Sequence, residues 1–215
     1  MTNWDWSPAW QQQDIEIKQK NLVYDGFFQM SQFQLRHRLF SGEWSPWLVR
    51  EQISHQDAAA VLLVDLKEEA LILVEQLRVG LINTHQQSPW LLEIVAGLLE
   101  EGEQPEQTIV REALEEAHCT IGPLVRIGEY YNSPGGFAEK TTLFCAEVVQ
   151  KDYKKKGGVQ EEHEDIRIHV LPIESVLSAW EKGEFLSSAS TVIALQWLKE
   201  KVSNRKLHTM LRATA

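Results

Sequence analysis

The stretch from Gly97 to His118 reads GLLEEGEQPEQTIVREALEEAH, and its second half has the period of a helix. Pro105 suits a first helical turn, where the N–H it lacks would have had no partner in the helix. At about 100° per residue, Ile109, Val110, Ala113, Leu114 and Ala117 share an arc of about 140°, which reads as the buried face. Glu112, Glu115 and Glu116 fall outside that arc beside Arg111 and read as one exposed acidic stripe. Glu112 and Glu116 are one turn apart, so their oxygens can converge on a hard cation such as Mg²⁺, which takes few protein carboxylates and keeps water or phosphate ligands. A solvated surface helix, held by pairs such as Arg111 with Glu115, produces the same spacing. The wider frame separates the two readings. Gly97, Glu103 and the run Arg111-Glu112-x-x-Glu115-Glu116 are six fixed positions, each met by chance about one time in ten or less, so coincidence does not account for them.

Charge is concentrated in the same place. Between Gly97 and Cys119 seven glutamates face one arginine, so 23 residues supply −6 of the net −10 of the 215-residue chain. Such crowding opposes folding unless a cation offsets it. The same balance disfavours non-specific binding of nucleic acid, which needs a basic stripe. Lys154 to Lys156 is followed by acidic residues and reads as a solvated loop. The longest apolar run, Ala58 to Val64, is seven residues, against roughly 20 for a membrane-spanning helix. The opening MTNWDWSPAW lacks a basic region followed by an apolar one, so the expected location is the cytoplasm. Cys119 and Cys145 make neither a disulfide framework nor a metal knuckle and read as small buried hydrophobes.

Upstream, the first twenty residues carry Trp4, Trp6 and Trp10 without a period, and an irregular arm docked by these rings is expected. From Leu22 to about Ser54 the chain becomes strand-like, with alternation at Phe33, Leu35, His37 and Leu39 and a turn at Ser41-Gly42. Residues 1–56 thus read as an arm and a small antiparallel unit, too thin in apolar residues to stand alone and expected to pack on a second subunit. Residues 57–215 read as the main domain. Ala58–Val64, Ala70–Val74 and Trp90–Ala96 read as buried strands, followed by the helix from Pro105. Strands near Leu124–Tyr131, Thr141–Val149 and Ile166–Val170 come next, and helices near Pro172–Lys182 and Ala189–Val202 close the chain. This order points to an α/β or α+β sandwich. The charged segment Lys151–Asp165 is long enough to be a lid or a disordered loop.

The frame around the helix resembles the Nudix box, Gly, Glu, then Arg-Glu-x-x-Glu-Glu-x-Gly, of hydrolases that act on nucleoside diphosphates linked to another group. His118 stands where the box has its last glycine. That glycine ends the helix in a left-handed conformation, which histidine tolerates better than most residues. The loop Ser133-Pro-Gly-Gly-Phe-Ala-Glu139 and the stretch Glu162-His-Glu-Asp-Ile-Arg167 resemble the bacterial ADP-ribose pyrophosphatase branch. So do Tyr24–Phe28, Arg36–Phe40, Glu75–Arg78 and Pro89–Glu93, so that the likeness runs from about residue 21 to residue 200.

The resemblance implies a Nudix α/β/α sandwich of mixed sheet and helices behind a small antiparallel β unit. It implies Mg²⁺, with Mn²⁺ as the alternative, held by Glu112, Glu116, Glu164 and the carbonyl of Ala96. Glu162 would be the general base and Glu115 a shared or supporting carboxylate. Arg111, Gly97 and Glu103 would support the glutamates. Phe28 and Arg50 would hold the base, Arg78 a phosphate, and Ser133, Gly135 and Glu139 the ribose side. The implied partners are ADP-ribose and a second copy of the chain in a homodimer with exchanged N-terminal strands, with no nucleic acid and no membrane. Other substrates, namely a nucleotide sugar or NADH, and a non-catalytic ADP-ribose sensor are the alternatives.

Overall fold

Strand β4 (Ala58–Asp65) is buried along all but its first residue, and its two faces feed two cores. Ala59, Val61 and Leu63 join Ile72, Val74 and Phe144, whereas Ala60, Leu62 and Val64 join Leu71, Leu73 and Leu143. A strand covered on both faces is a continuous apolar run rather than an alternation, as this one is. The computed structural model describes residues 5–84, 88–153, 157–159, 163–204 and 206–213.

Around β4 lies a mixed sheet in the order β11-β5-β4-β10-β8, from β5 (Ala70–Leu77), β8 (Cys119–Ile121), β10 (Lys140–Lys151) and β11 (Arg167–Pro172). β6 (Trp90–Glu93) pairs with β5, β7 (Val95–Leu98) with β4, and β9 (Val125–Tyr131) with β10. β10 runs parallel to β4, while the other pairings are antiparallel. Helix α1 (Pro105–Glu115) covers one face through Ile109 and Ala113. On the other face lie α2 (Ile173–Glu181), α3 (Ala189–Ser203) and α4 (Leu207–Ala213), through Val176, Leu195, Leu198, Leu207 and Leu211. This is the expected α/β/α sandwich. The segment expected as one strand at Trp90–Ala96 is two, because the Ile94 N–H donates to Thr191 Oγ1 (3.1 Å) instead of to a ladder.

α1 begins as expected at Pro105, with a reciprocal cap between Gln104 and Gln107. It ends at His118, whose φ is 49° and whose N–H donates to the Leu114 carbonyl at 3.1 Å. The histidine therefore makes the left-handed closure that glycine makes more cheaply.

Residues up to His55, with Ser133–Glu139, form a separate compact unit. Its sheet is antiparallel, β1 (Ile15–Asp25), β2 (Gln29–His37) and β3 (Leu48–Ser54). β1 starts inside the stretch expected to be irregular. Register shifts at Ile17/Gln19 and Leu22/Tyr24 break its two-residue period, which hid the strand. Trp6 is 67% exposed and Trp10 part-buried, and Trp4 lies outside the described residues.

Candidate active site

Two buried carboxylates, Glu112 on α1 and Glu116 at its C-terminal cap, are the centre of the site. Glu112 is 9% and Glu116 2% exposed, so the exposed acidic stripe expected from the helical period is corrected. The helix is rolled relative to that expectation: Val110 and Leu114, placed on the buried face, are 57% and 55% exposed. The cause is the neighbour. β7 offers Ala96 and Gly97 to the helix, and a Cβ on Gly97 would stand 1.7 Å from Glu112 Oε1, so the glycine leaves the space that the carboxylate fills. Glu116 in turn accepts the Ala96 N–H at Oε2 (3.1 Å) and the Gln76 side-chain N–H at Oε1 (3.4 Å).

Arg111 organises the rest. It donates to Glu112 (2.8 Å), Glu115 (3.0 Å), Glu103 (3.2 and 3.3 Å) and the Leu98 carbonyl (3.1 Å). Glu103 also accepts the Glu100 N–H (2.9 Å) and the Thr108 hydroxyl (2.9 Å), which ties the loop before α1 to the helix. These bonds hold the Glu103 carboxyl down at about 2, with the Arg111 bond the largest cause. For Arg111, partial burial works against its charge, but the bond to Glu103 and the field of Glu112 outweigh it and raise its pKa.

The two inner glutamates both shift in the direction opposite to Glu103. Burial above all, then the charges of Glu112 and Glu164, push Glu116 up to about 8 against the opposing Ala96 N–H and Arg78. Burial also raises Glu112, against Arg111 and with Glu115 and Glu164 adding to the rise. Glu164 approaches on the segment after Gly157-Gly158, where its Oε2 accepts the Val159 N–H at 3.2 Å. Gly157 and Gly158 themselves are seated on the end of α1: the Gly158 N–H donates to the Glu115 carbonyl (2.9 Å), and a Cβ on Gly157 would stand 1.8 Å from the Glu116 carbonyl oxygen.

Glu112 and Glu116 are withdrawn from water and both are raised by the charge of Glu164, so the pair is short of positive charge. Their donor set is entirely oxygen, which is what a hard divalent cation takes. Among the described residues no three acidic, histidine or cysteine side chains stand at metal-ligand distance; the carboxylate oxygens accept from Arg111, Gln76 and the N–H groups of Ala96 and Val159. The residues fit the cation by burial, charge and donor chemistry.

Arg78 lies at the end of β5, and its Nε donates to the buried Glu93. Phe28, Arg50, Ser133, Gly135 and Glu139 belong to the other unit. There Phe28 is 42% exposed and faces His55 and Phe137, Arg50 is exposed, and Ser133 closes a tight turn by accepting the Gly136 and Phe137 N–H groups. Glu162 lies outside the described residues. Sequence reasoning assigned no role to Gln76, Glu93 or Gly157-Gly158. The signal for Gln76 was present, since it continues the face of Ile72 and Val74 with a polar residue.

Residues 54–189 match the family profile "NUDIX domain". The chain belongs to the Nudix family. Among its relatives, an ADP-ribose pyrophosphatase of Haemophilus influenzae is 40% identical over 191 residues, 87% of either chain. One of Escherichia coli K12 is 38% identical over 186 residues, covering 86% of this chain and 88% of that one. A GDP-mannose pyrophosphatase of Shigella flexneri is 34% identical over 150 residues, 70% of this chain and 77% of that one. The crystal structure of an ADP compounds hydrolase superposes with a TM-score of 0.67 at 19% identity, covering 93% of this chain and 98% of that one, and shares the Nudix fold. The family implies a divalent-metal requirement, and the buried glutamates of α1 are the groups of this Nudix chain that match it.

Proposed function

We propose that this chain hydrolyses the pyrophosphate of ADP-ribose to AMP and ribose 5-phosphate. The observation that carries the chemistry is the buried Glu112–Glu116 pair beside Glu164. The identity of 38–40% with ADP-ribose pyrophosphatases over some nine-tenths of both chains supports the substrate. Glu112, Glu116, Glu164 and the Ala96 carbonyl would hold Mg²⁺, with Mn²⁺ as its substitute. When bound, such a cation neutralises phosphate charge and lowers the pKa of its water. Glu162 would take the proton of the attacking water as the bridging P–O bond breaks. Glu115 would stand beside the ligands, held with Glu112 by Arg111, Gly97 and Glu103. Arg78 would pair with a phosphate, Phe28 and Arg50 with the base, and Ser133, Gly135 and Glu139 with the ribose side.

In this reading residues 1–56 form the dimerising unit and residues 57–215 the hydrolase domain. Ile17, Leu22 and Val49 of the small unit are 57%, 52% and 56% exposed, which supports a second copy of the chain, with exchanged N-terminal strands, as their cover. Among the described residues no helix is long and apolar enough to cross a membrane, in keeping with a cytoplasmic enzyme. The GDP-mannose relative supports a second reading, a nucleotide sugar as substrate. Turnover of ADP-ribose, GDP-mannose and NADH at equal concentration tests the choice: ADP-ribose should be fastest, and a preference for GDP-mannose would replace the first reading with the second.

A further inference from the structure

His55 follows the last residue of β3, and its side chain is only 5% exposed. Three phenyl rings surround it. The Phe28 centroid lies 5.0 Å away with the planes 33° apart, Phe137 at 5.4 Å and Phe27 at 5.7 Å. On the polar side, Nε2 of His55 stands 3.0 Å from Oε2 of Glu139, whose side chain is itself 13% exposed. The backbone fixes this meeting: the Ile53 N–H donates to the Gly136 carbonyl (2.7 Å) and the Ala138 N–H to the Ile53 carbonyl (2.9 Å). Ile53 and Phe137 form a parallel bridge, and two residues on from each of them His55 and Glu139 meet in register. All of these groups belong to one compact unit.

A carboxylate withdrawn from water needs donors that hold it in one orientation. An imidazole wedged among aromatic rings supplies one in a fixed direction. We propose that His55 is a positioning residue for substrate: it orients Glu139 beside the Phe28 ring, so that a flat base and a pair of sugar hydroxyls are recognised by one rigid group of side chains. A carboxylate has about four acceptor positions on two oxygens, so the same group that meets the imidazole at Oε2 can also take a ribose hydroxyl. The inference rests on the ADP-ribose reading.

The test is a double-mutant cycle read by calorimetric titration of the metal-free protein with ADP-ribose. His55→Phe keeps a ring and removes the donor, and Glu139→Gln removes the charge. His55→Phe should weaken binding about tenfold, the size of one charge-assisted hydrogen bond. The double variant should bind no more weakly than Glu139→Gln alone. His55→Gln, which keeps an N–H donor, should recover most of the loss, and in the metal-loaded enzyme His55→Phe should raise KM while leaving kcat within about twofold. Binding by His55→Phe equal to the parent's, or losses that multiply in the double variant, would overturn the proposal. If His55→Phe does not fold, the cycle of His55→Gln with Glu139→Gln is run in its place, with the same non-additivity expected. A parent that binds ADP-ribose without hydrolysing it sinks the functional reading and leaves the cycle readable; a parent that does neither overturns both.

Discussion

Glu116 carries two opposed demands, since a cation needs its ionised form and burial favours its proton. Its folded value of about 8 lies above the ordinary 4.5. A raised folded pKa contributes stability that is fully present below the unfolded value and is lost as pH rises through the folded one. The metal-free parent should therefore lose thermal stability between pH 4.5 and pH 8 relative to Glu116→Gln, which has no proton to lose there. Calorimetric scans of both proteins without metal check this, and parallel pH profiles would contradict it. Glu103 has the opposite sign. Its folded pKa of about 2 lies below 4.5, so its contribution is present above pH 4.5 and disappears as pH falls through 2. Glu103→Gln should melt below the parent at neutral pH, with the gap closing in acid. At Gly97 the argument is steric. Gly97→Ala puts a methyl where Glu112 Oε1 now lies, and it should cut turnover about ten- to a hundredfold, the usual cost of disturbing the support of a metal ligand. Circular dichroism should show the fold retained.

At the scale of elements, the site is one helix end with a strand and a loop docked on it. Gly157 and Gly158 lie against the carbonyls of Glu115 and Glu116, and Gly158 also lies against Glu164. Gly157→Ala should therefore lower kcat by about tenfold or more while changing the KM for ADP-ribose little, because the groups proposed to hold the base and ribose belong to the other unit. A rise in KM with kcat unchanged would refute that account. Much of this was legible beforehand, because α1 announces itself by its period, its proline and its acidic frame, and β4 by an unbroken apolar run. The roll of α1 was not. Helical phase ranks Val110 and Leu114 as core and the glutamates as surface, but a glycine on the neighbouring strand makes room for a carboxylate that no hydropathy pattern reports. β1 escaped for a different reason, since its register shifts scramble the alternation that reveals a strand.

For the whole molecule, stability rests on the sandwich rather than on the small unit. Leu62 and Leu195 are fully buried, and Leu62→Ala should cost about 2–5 kcal/mol in denaturant unfolding. The antiparallel unit, with exposed Ile17, Leu22 and Val49, is the part for which a second copy is proposed as partner. Light scattering on a gel-filtration peak should give twice 24.7 kDa, and the monomer mass would contradict the exchanged dimer. The central claim, metal-dependent cleavage of a pyrophosphate by the glutamates of α1, is tested most directly by a phosphorus NMR time course of ADP-ribose with purified protein and Mg²⁺, repeated in EDTA. AMP and ribose 5-phosphate should appear together with Mg²⁺ and not in EDTA. ADP-ribose left intact by the Mg²⁺-loaded protein, or cleaved equally in EDTA, would contradict the account.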